Sequence, residues 1–293
     1  MRRAASAVAD AAATADTVLR LAVLLRAGLA PGRAWTVLDD AGSSVAAAVR
    51  SAQLRGEEPA AALARHGGAW RAVAAAWTVA TTVGAPLSET LQDVAAGLRD
   101  GQEAADEVRI ALAEPAATAR LMSWLPLVAV ALGIALGFDT LVVLTTQPAG
   151  WACLAGGIVL VLAARRWSAA LVRTARPSDE IPGMPAELTA IALSGGASVE
   201  RAQALVRDAL GSVDPGVDDV LDLSRSAGVP AAELLRSSAW LARHRARTDA
   251  RVRAARLSSR LLLPLGVCTL PAFLLLGVAP MLLSILGSGV LTL

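Results

Sequence analysis

Val83-Gly84-Ala85-Pro86-Leu87-Ser88-Glu89-Thr90-Leu91 is a turn followed by a helix start. Pro86 sits where a first helical turn needs no backbone N–H. Beyond it, Leu87, Leu91, Val94 and Leu98 recur at helical spacing and form an apolar stripe. The other face holds Gln92, Asp93, Arg99, Asp100, Glu103, Asp106 and Glu107. The helix runs on through Arg109 and Leu112 toward an apolar stretch from Leu121 to Phe138. Only Ser123, Trp124 and Pro126 interrupt that stretch. A helix that leaves a charged bundle and enters an apolar run decides the class: an all-α protein, part of it in a bilayer. Nothing alternates with period two over a useful length, so no sheet is expected.

Two further apolar runs follow, at 149–166 and 261–287. A spanning helix needs about 20 apolar residues, which the last run supplies. The middle one is short unless Trp151 and Trp167 sit at opposite interfaces. Composition agrees: 55% of residues are hydrophobic and 18% charged, against about 45–50% and about 25% in soluble domains. Arginine placement sets the orientation. The 139–148 loop and the 288–293 tail contain no Arg, whereas Arg165, Arg166, Arg173, Arg176 and the Arg243–Arg260 cluster flank the spans on the other side. Residues 17–120 and 167–260 are therefore expected in the cytoplasm, with the N-terminus, and the C-terminus outside. A re-entrant hairpin at 149–166 would place 166–260 outside, against its arginines. Asp10, Asp16 and Arg20 break any apolar core of a signal peptide, so segment 1–16 reads as the start of a helix.

Absent residues exclude chemistry. All 27 basic residues are Arg. Without Lys there is no Walker A loop and no Schiff base. Cys153 and Cys268 lie apart in apolar stretches, which argues against a disulfide framework or a zinc site. A net charge of +2, dispersed over mixed-sign helices, gives no nucleic-acid footprint. His66 is placed at a helix C-terminus and His244 in an Arg-rich helix, with no catalytic arrangement around either. Asp39-Asp40, Glu57-Glu58, Asp106-Glu107 and Asp218-Asp219 read as solvated faces. Asp139 caps the outer end of the first span. No catalytic residue, cofactor or metal site is expected.

Short helices fill 17–112. Gly28 ends the run of Val18, Leu21 and Leu25, and Pro31 opens the next helix. Others run from Ser44 to Leu54, from about Ala60 to Ala64, and from Trp70 to Val83, separated by Gly56 and by Gly67-Gly68. The second half repeats the plan. The Gly28 region matches the Gly196 region at an offset of 168. Gly84, Pro86, Glu89 and Leu91 match Gly228, Pro230, Glu233 and Leu235 at an offset of 144, and Leu125-Pro126-Leu127 matches Leu263-Pro264-Leu265. The helix at about 44–67 has no partner, so the second copy is shortened. Gly133 and Gly137 form a GxxxG suited to close helix packing in a membrane. Arg243–Arg260 suits anionic lipid headgroups, a topogenic flank or an acidic partner, and the first two suffice.

Leu25-Arg26-Ala27-Gly28-Leu29, Arg55-Gly56-Glu57-Glu58-Pro59-Ala60-Ala61-Ala62-Leu63 and Gly84-Ala85-Pro86-Leu87-Ser88-Glu89-Thr90-Leu91, in this order before a Pro-containing span, resemble the type II secretion F domain. The resemblance covers about 25–165, and 184–290 more faintly. It implies a non-enzymatic inner-membrane platform of type II secretion or type IV pilus assembly, most like the tight-adherence (Tad, Flp) variants. It also implies the partners: a separate cytoplasmic ATPase, pilin subunits, and a second platform protein or a second copy of the chain. The matching motif positions are Gly28, Gly56, Gly84, Pro86, Leu87, Glu89 and Leu91, then Gly196, Gly228, Pro230 and Glu233 in the shortened copy. A small membrane carrier or a signalling protein is the competing reading. A carrier needs a mid-membrane polar cluster and a sensor needs an outer domain, and the sequence offers neither.

Overall fold

A computed structural model describes residues 2–135, 148–174, 181–211, 214–280 and 282–283. Among them the chain is helical, with no strand. The first six helices are α1 (Arg2–Arg26), α2 (Pro31–Asp40), α3 (Ser44–Leu54), α4 (Pro59–His66), α5 (Ala69–Val83) and α6 (Leu87–Ala135). Then come α7 (Pro148–Thr174), α8 (Met184–Ser194), α9 (Val199–Leu210), α10 (Pro215–Ala227) and α11 (Ala231–Pro264). The last helix continues through a π-helical run, Leu265–Thr269, into α12 (Leu270–Phe273) and a second π-helical run, Leu274–Val278.

Local chemistry sets the helix starts. Pro31, Pro59 and Pro215 stand in first turns. Ser43 and Ser198 accept from the backbone N–H of Ala46 and Arg201, both at 3.3 Å, and Asp214 accepts from Gly216 at 3.0 Å. Each such cap satisfies a donor that a helix start otherwise leaves open.

The chain divides into two compact units, Met1–Asp106 with Ser178–Asp249, and Glu107–Pro177 with Ala250–Leu293. Both stretches read as cytoplasmic bundles contribute to the first unit. Its centre is α5, where Trp70, Val73, Ala74, Ala75, Ala76, Trp77, Val79 and Ala80 are all buried. A helix buried on so many sides needs neighbours all round. α1 and α4 supply some of them, and α8 and α9 supply the rest. Trp35 of α2 is fully buried and meets Trp77 with ring centroids 5.8 Å apart. Met184, Leu188 and Ile191 of α8 and Ala202 and Val206 of α9 belong to this same core. A smaller core joins α8 to α10 and α11 through Ala186, Ala190, Val217, Leu221, Leu235 and Ala239.

In the second unit α7 is longer than the 149–166 run suggests. It spans 27 residues, about 40 Å at 1.5 Å per residue. Its Pro148–Leu171 stretch has a mean hydropathy of 1.5 and is, among the described residues, the one helix long and apolar enough to cross a bilayer. Ile158, Val159 and Leu162 are exposed along it. The other two expected spans, 121–138 and 261–287, each extend into residues outside those described, as do the 139–148 loop, Asp139 and the 288–293 tail. Gly133 lies in the α6 backbone, and Gly137 lies outside the described residues.

The π-helical runs have an identifiable cause. Proline has no N–H for the carbonyl four residues back, and its ring crowds that carbonyl. For Pro271 that residue is Val267, and for Pro280 it is Leu276. Each lies at the centre of a π-helical run. α7 packs on both runs and on α12. A Cβ on Gly156 would lie 3.3 Å from Leu275 Cδ1, and one on Gly157 would overlap the Leu276 side chain.

Trp35→Ala removes the largest fully buried side chain from the α5 core. The expected loss is about 3–5 kcal/mol, read as a lower melting temperature in detergent. Trp167→Ala, at an exposed position of α7, should melt close to the parent.

Candidate docking site at the heads of the two long helices

The motif before α6 folds as its turn chemistry requires. Gly84 adopts φ +74°, a left-handed conformation that a Cβ would strain. This lets the Ala85 N–H reach back to the Ala80 carbonyl at 2.9 Å and close the end of α5. Gly28, Gly56 and Gly196 occupy the equivalent place after α1, α3 and α8, where Leu29, Glu57 and Ala197 donate to Leu24, Ala52 and Ala192. After the turn, Thr90 donates its hydroxyl to the Pro86 carbonyl at 3.0 Å. Leu91 is fully buried, Leu87 packs at the edge of the same core, and Glu89 faces solvent.

The second motif is built alike. Gly228 has φ +68° and donates to the Ser224 carbonyl at 2.9 Å. Pro230 precedes α11, where the Leu234 N–H reaches its carbonyl at 3.4 Å. Leu235 is fully buried in the α8–α10–α11 core. Glu233 is exposed and pairs with Arg236 at 3.0 Å.

Between these helix heads the first unit has an open polar groove of about 480 Å³. Glu89, Gln92 and Asp93 of α6, Glu187 of α8, and Arg236 and Arg243 of α11 line it. Glu187 is buried, and a buried carboxylate needs a partner. Arg243 supplies one, with Nη1 at 3.2 Å, and its Nε also lies 3.4 Å from Asp100. Arg236 donates to Glu233 and to the Ser194 hydroxyl, which fixes it at the rim. Desolvation in the groove holds the Asp93 carboxyl above the usual aspartate range. The nearby Glu187 charge adds to the shift, Arg236 and Arg243 oppose it, and Glu89 adds a smaller push upward.

The groove brings Glu89 together with residues the motifs do not contain. Gly28, Gly56 and Gly196 end other helices and do not line it. Glu187 was legible as the one acid in the apolar run 184–193. The arginines carried a signal too. Arg243, Arg247 and Arg251 follow one another at i+4 and i+8, opposite Asp100, Glu103 and Glu107 on α6. Arg247 pairs with Glu103 at 2.9 Å in the first unit, and Arg251 with both carboxylate oxygens of Glu107 in the second. One face of the Arg243–Arg260 cluster is thus directed at acids of the same chain, a partner the three readings of the cluster did not include. Arg245, Arg253, Arg256 and Arg260 are exposed.

The other titratable residues form local structure. His66 ends α4, with its ring 6.4 Å from Trp70, and His244 stacks on Trp240 at 5.4 Å. Asp39 accepts from Arg50 at 2.8 Å, and Asp218 from Gln203. Hydrogen bonds from Arg55 and Arg65 hold the Glu57 carboxyl below its ordinary range. Among the described residues no group of His, Cys, Asp or Glu is arranged to hold a metal ion.

Residues 18–135 match the family model of the type II secretion system (T2SS) protein F. This segment is similar to the type II secretion F domain. It runs from the middle of α1 to the described end of α6, so the Gly84 motif and one wall of the groove fall inside it. The resemblance read from the motifs began later, at about 25, and extended further, to about 165. Glu187, Arg236 and Arg243, which complete the groove, lie beyond the matched segment. No curated protein and no solved structure matches the chain.

The Asp93 environment has a pH signature. The folded chain holds this proton more tightly than the unfolded chain, so ionisation opposes folding at neutral pH. That penalty fades as pH falls through the raised pKa toward the ordinary value of about 4. Asp93→Asn should raise the melting temperature near pH 7, and the gain should vanish in acid. Thermal melts between about pH 3.5 and about pH 8 check this, and a gain independent of pH would refute it.

Proposed function

We propose that the chain is a non-enzymatic platform protein of the inner membrane that couples a separate cytoplasmic ATPase to pilin assembly or protein secretion, in a type II secretion or tight-adherence pilus machine. The observation that carries this reading is the F-domain match on 18–135, whose last helix passes without interruption from the charged Gly84–Leu91 head into apolar sequence. The chain has no Lys for a phosphate-binding loop of the Walker type, so energy of that kind has to come from a partner. In this reading the groove between the helix heads receives the motor. Glu89 and Asp93 offer acidic groups to basic side chains of the ATPase, in line with the general role of charge complementarity in steering association. Movement delivered there passes down α6 and α11, and the apolar segments take up the pilin. Three spans at 121–138, 149–166 and 261–287 place the N-terminus in the cytoplasm and the C-terminus outside. The remaining exposed arginines, Arg245, Arg253, Arg256 and Arg260, serve as the cytoplasmic flank and meet anionic headgroups.

Affinity purification from mild detergent tests the coupling. The parent chain should bring down an ATPase of the secretion class and a short prepilin-like protein. Glu89→Arg with Asp93→Arg should lose the ATPase while the chain keeps its abundance and its helical circular-dichroism signal. Retention of the ATPase by that variant would remove the groove from the docking surface. A reporter fused after Leu293 that is active only in the cytoplasm would overturn the topology.

A further inference from the structure

The contacts between α6 and α11 obey a rule that neither helix shows by itself. In the first unit Glu103 pairs with Arg247, and Asp100 with Arg243. In the second unit Glu107 pairs with Arg251. The differences in residue number are 143 for Asp100–Arg243 and 144 for the other two pairs. In the second unit Val108 is buried with Ala250 and Ala254, which bracket position 252, again 144 residues on. In the first unit Gln92 and Arg236 line the same groove, also 144 apart. Both numbers rise together, so the helices run parallel.

The offset 144 also superposes Gly84-Ala85-Pro86 on Gly228-Val229-Pro230 and Glu89 on Glu233. At these positions residues of α6 therefore meet their own counterparts in α11, or residues next to them. This is the geometry of an isologous two-fold contact, in which the same patch is used on both sides. Here both sides come from one chain. The charges, however, are not the same on the two sides. α6 presents acids at 100, 103 and 107, and α11 presents arginines at 243, 247 and 251. Two copies of α6 meeting in this register would set Glu103 against Glu103 and Glu107 against Glu107. Two copies of α11 would set arginine against arginine. Like charges placed this way disfavour both pairings, while the mixed pair is favoured.

We propose that α6 and α11 form an internal dimer: the face of α6 on which a second copy of the chain would pair is occupied in cis by α11, and the acid-on-α6, arginine-on-α11 pattern excludes homotypic pairing through it. Any self-association of the protein then uses another surface.

Thiol cross-linking of the full-length protein in native membranes tests this. The background carries Cys153→Ser and Cys268→Ser. Glu103→Cys and Arg247→Cys are introduced singly and together, since both side chains reach solvent, at 61% and 32% exposure. A short bis-maleimide should join the double variant within one chain, seen as a mobility shift at monomer mass. In cells expressing two differently tagged copies, the product joining two chains should be at least about tenfold weaker than the internal one, a margin of about 1.4 kcal/mol. Glu103→Cys alone should give no covalent dimer. Adding Arg251→Glu to the double variant should weaken the internal product, and adding Glu107→Arg as well should restore it. Covalent dimers from Glu103→Cys alone, or a predominantly inter-chain product from the double variant, would overturn the proposal. So would no product at all when both thiols still react with a monofunctional maleimide.

Discussion

The first unit is organised by the amount of apolar surface on α5. Eight of its fifteen residues are buried, including both tryptophans. One or two neighbours leave part of such a helix in water, at about 25 cal/mol for each Å² of apolar surface left exposed. α1 and α4 come from the flanking sequence, but α8 and α9 come from more than a hundred residues further on. The core of the matched segment is thus completed by chain outside the family match. Gly195 marks how closely the two parts meet, since a Cβ there would run into the Val83 side chain at the end of α5.

Covering α5 in this way creates the next demand. α8 is buried on most sides, and Glu187 is buried with it. The carboxylate needs a cation in a fixed place, and the desolvation of both partners makes such a pair sensitive to the loss of either. Arg243 meets that need from α11, passing beside Gly97 of α6. The polar groove, the raised pKa of Asp93 and the alignment of the helix heads all follow from where α8 has to sit.

Much of this was legible in the sequence where the determinants are local. Ser44–Leu54 and the end of α5 at Val83 fall where capping and glycine placement put them, because a helix end is decided within a few residues. The similarity over 18–135 was legible in the order of its turns. Which helices share a core was not, because the covering of α5 by α8 is a long-range pairing that periodicity within either segment does not encode. The arginine face of α11 was missed for the same reason: its acids on α6 are 143 or 144 residues away, and only the comparison of both helices reveals the match. The apolar run at 149–166 is short because Arg165 and Arg166 close it, whereas helix α7 continues to Thr174.

The prolines of the last apolar segment bear on how its surface is to be read. An α-helix advances 100° per residue, and a π-helical run holds one residue more per turn than that rhythm allows. Each of the runs at Leu265–Thr269 and Leu274–Val278 therefore turns everything beyond it by about one residue's rotation relative to an unbroken helix. A helical wheel drawn straight through Leu263, Val267, Leu270 and Leu274 joins residues that the backbone has rotated apart. The lateral surface of this segment is a set of offset panels, and the two π-helical runs divide them.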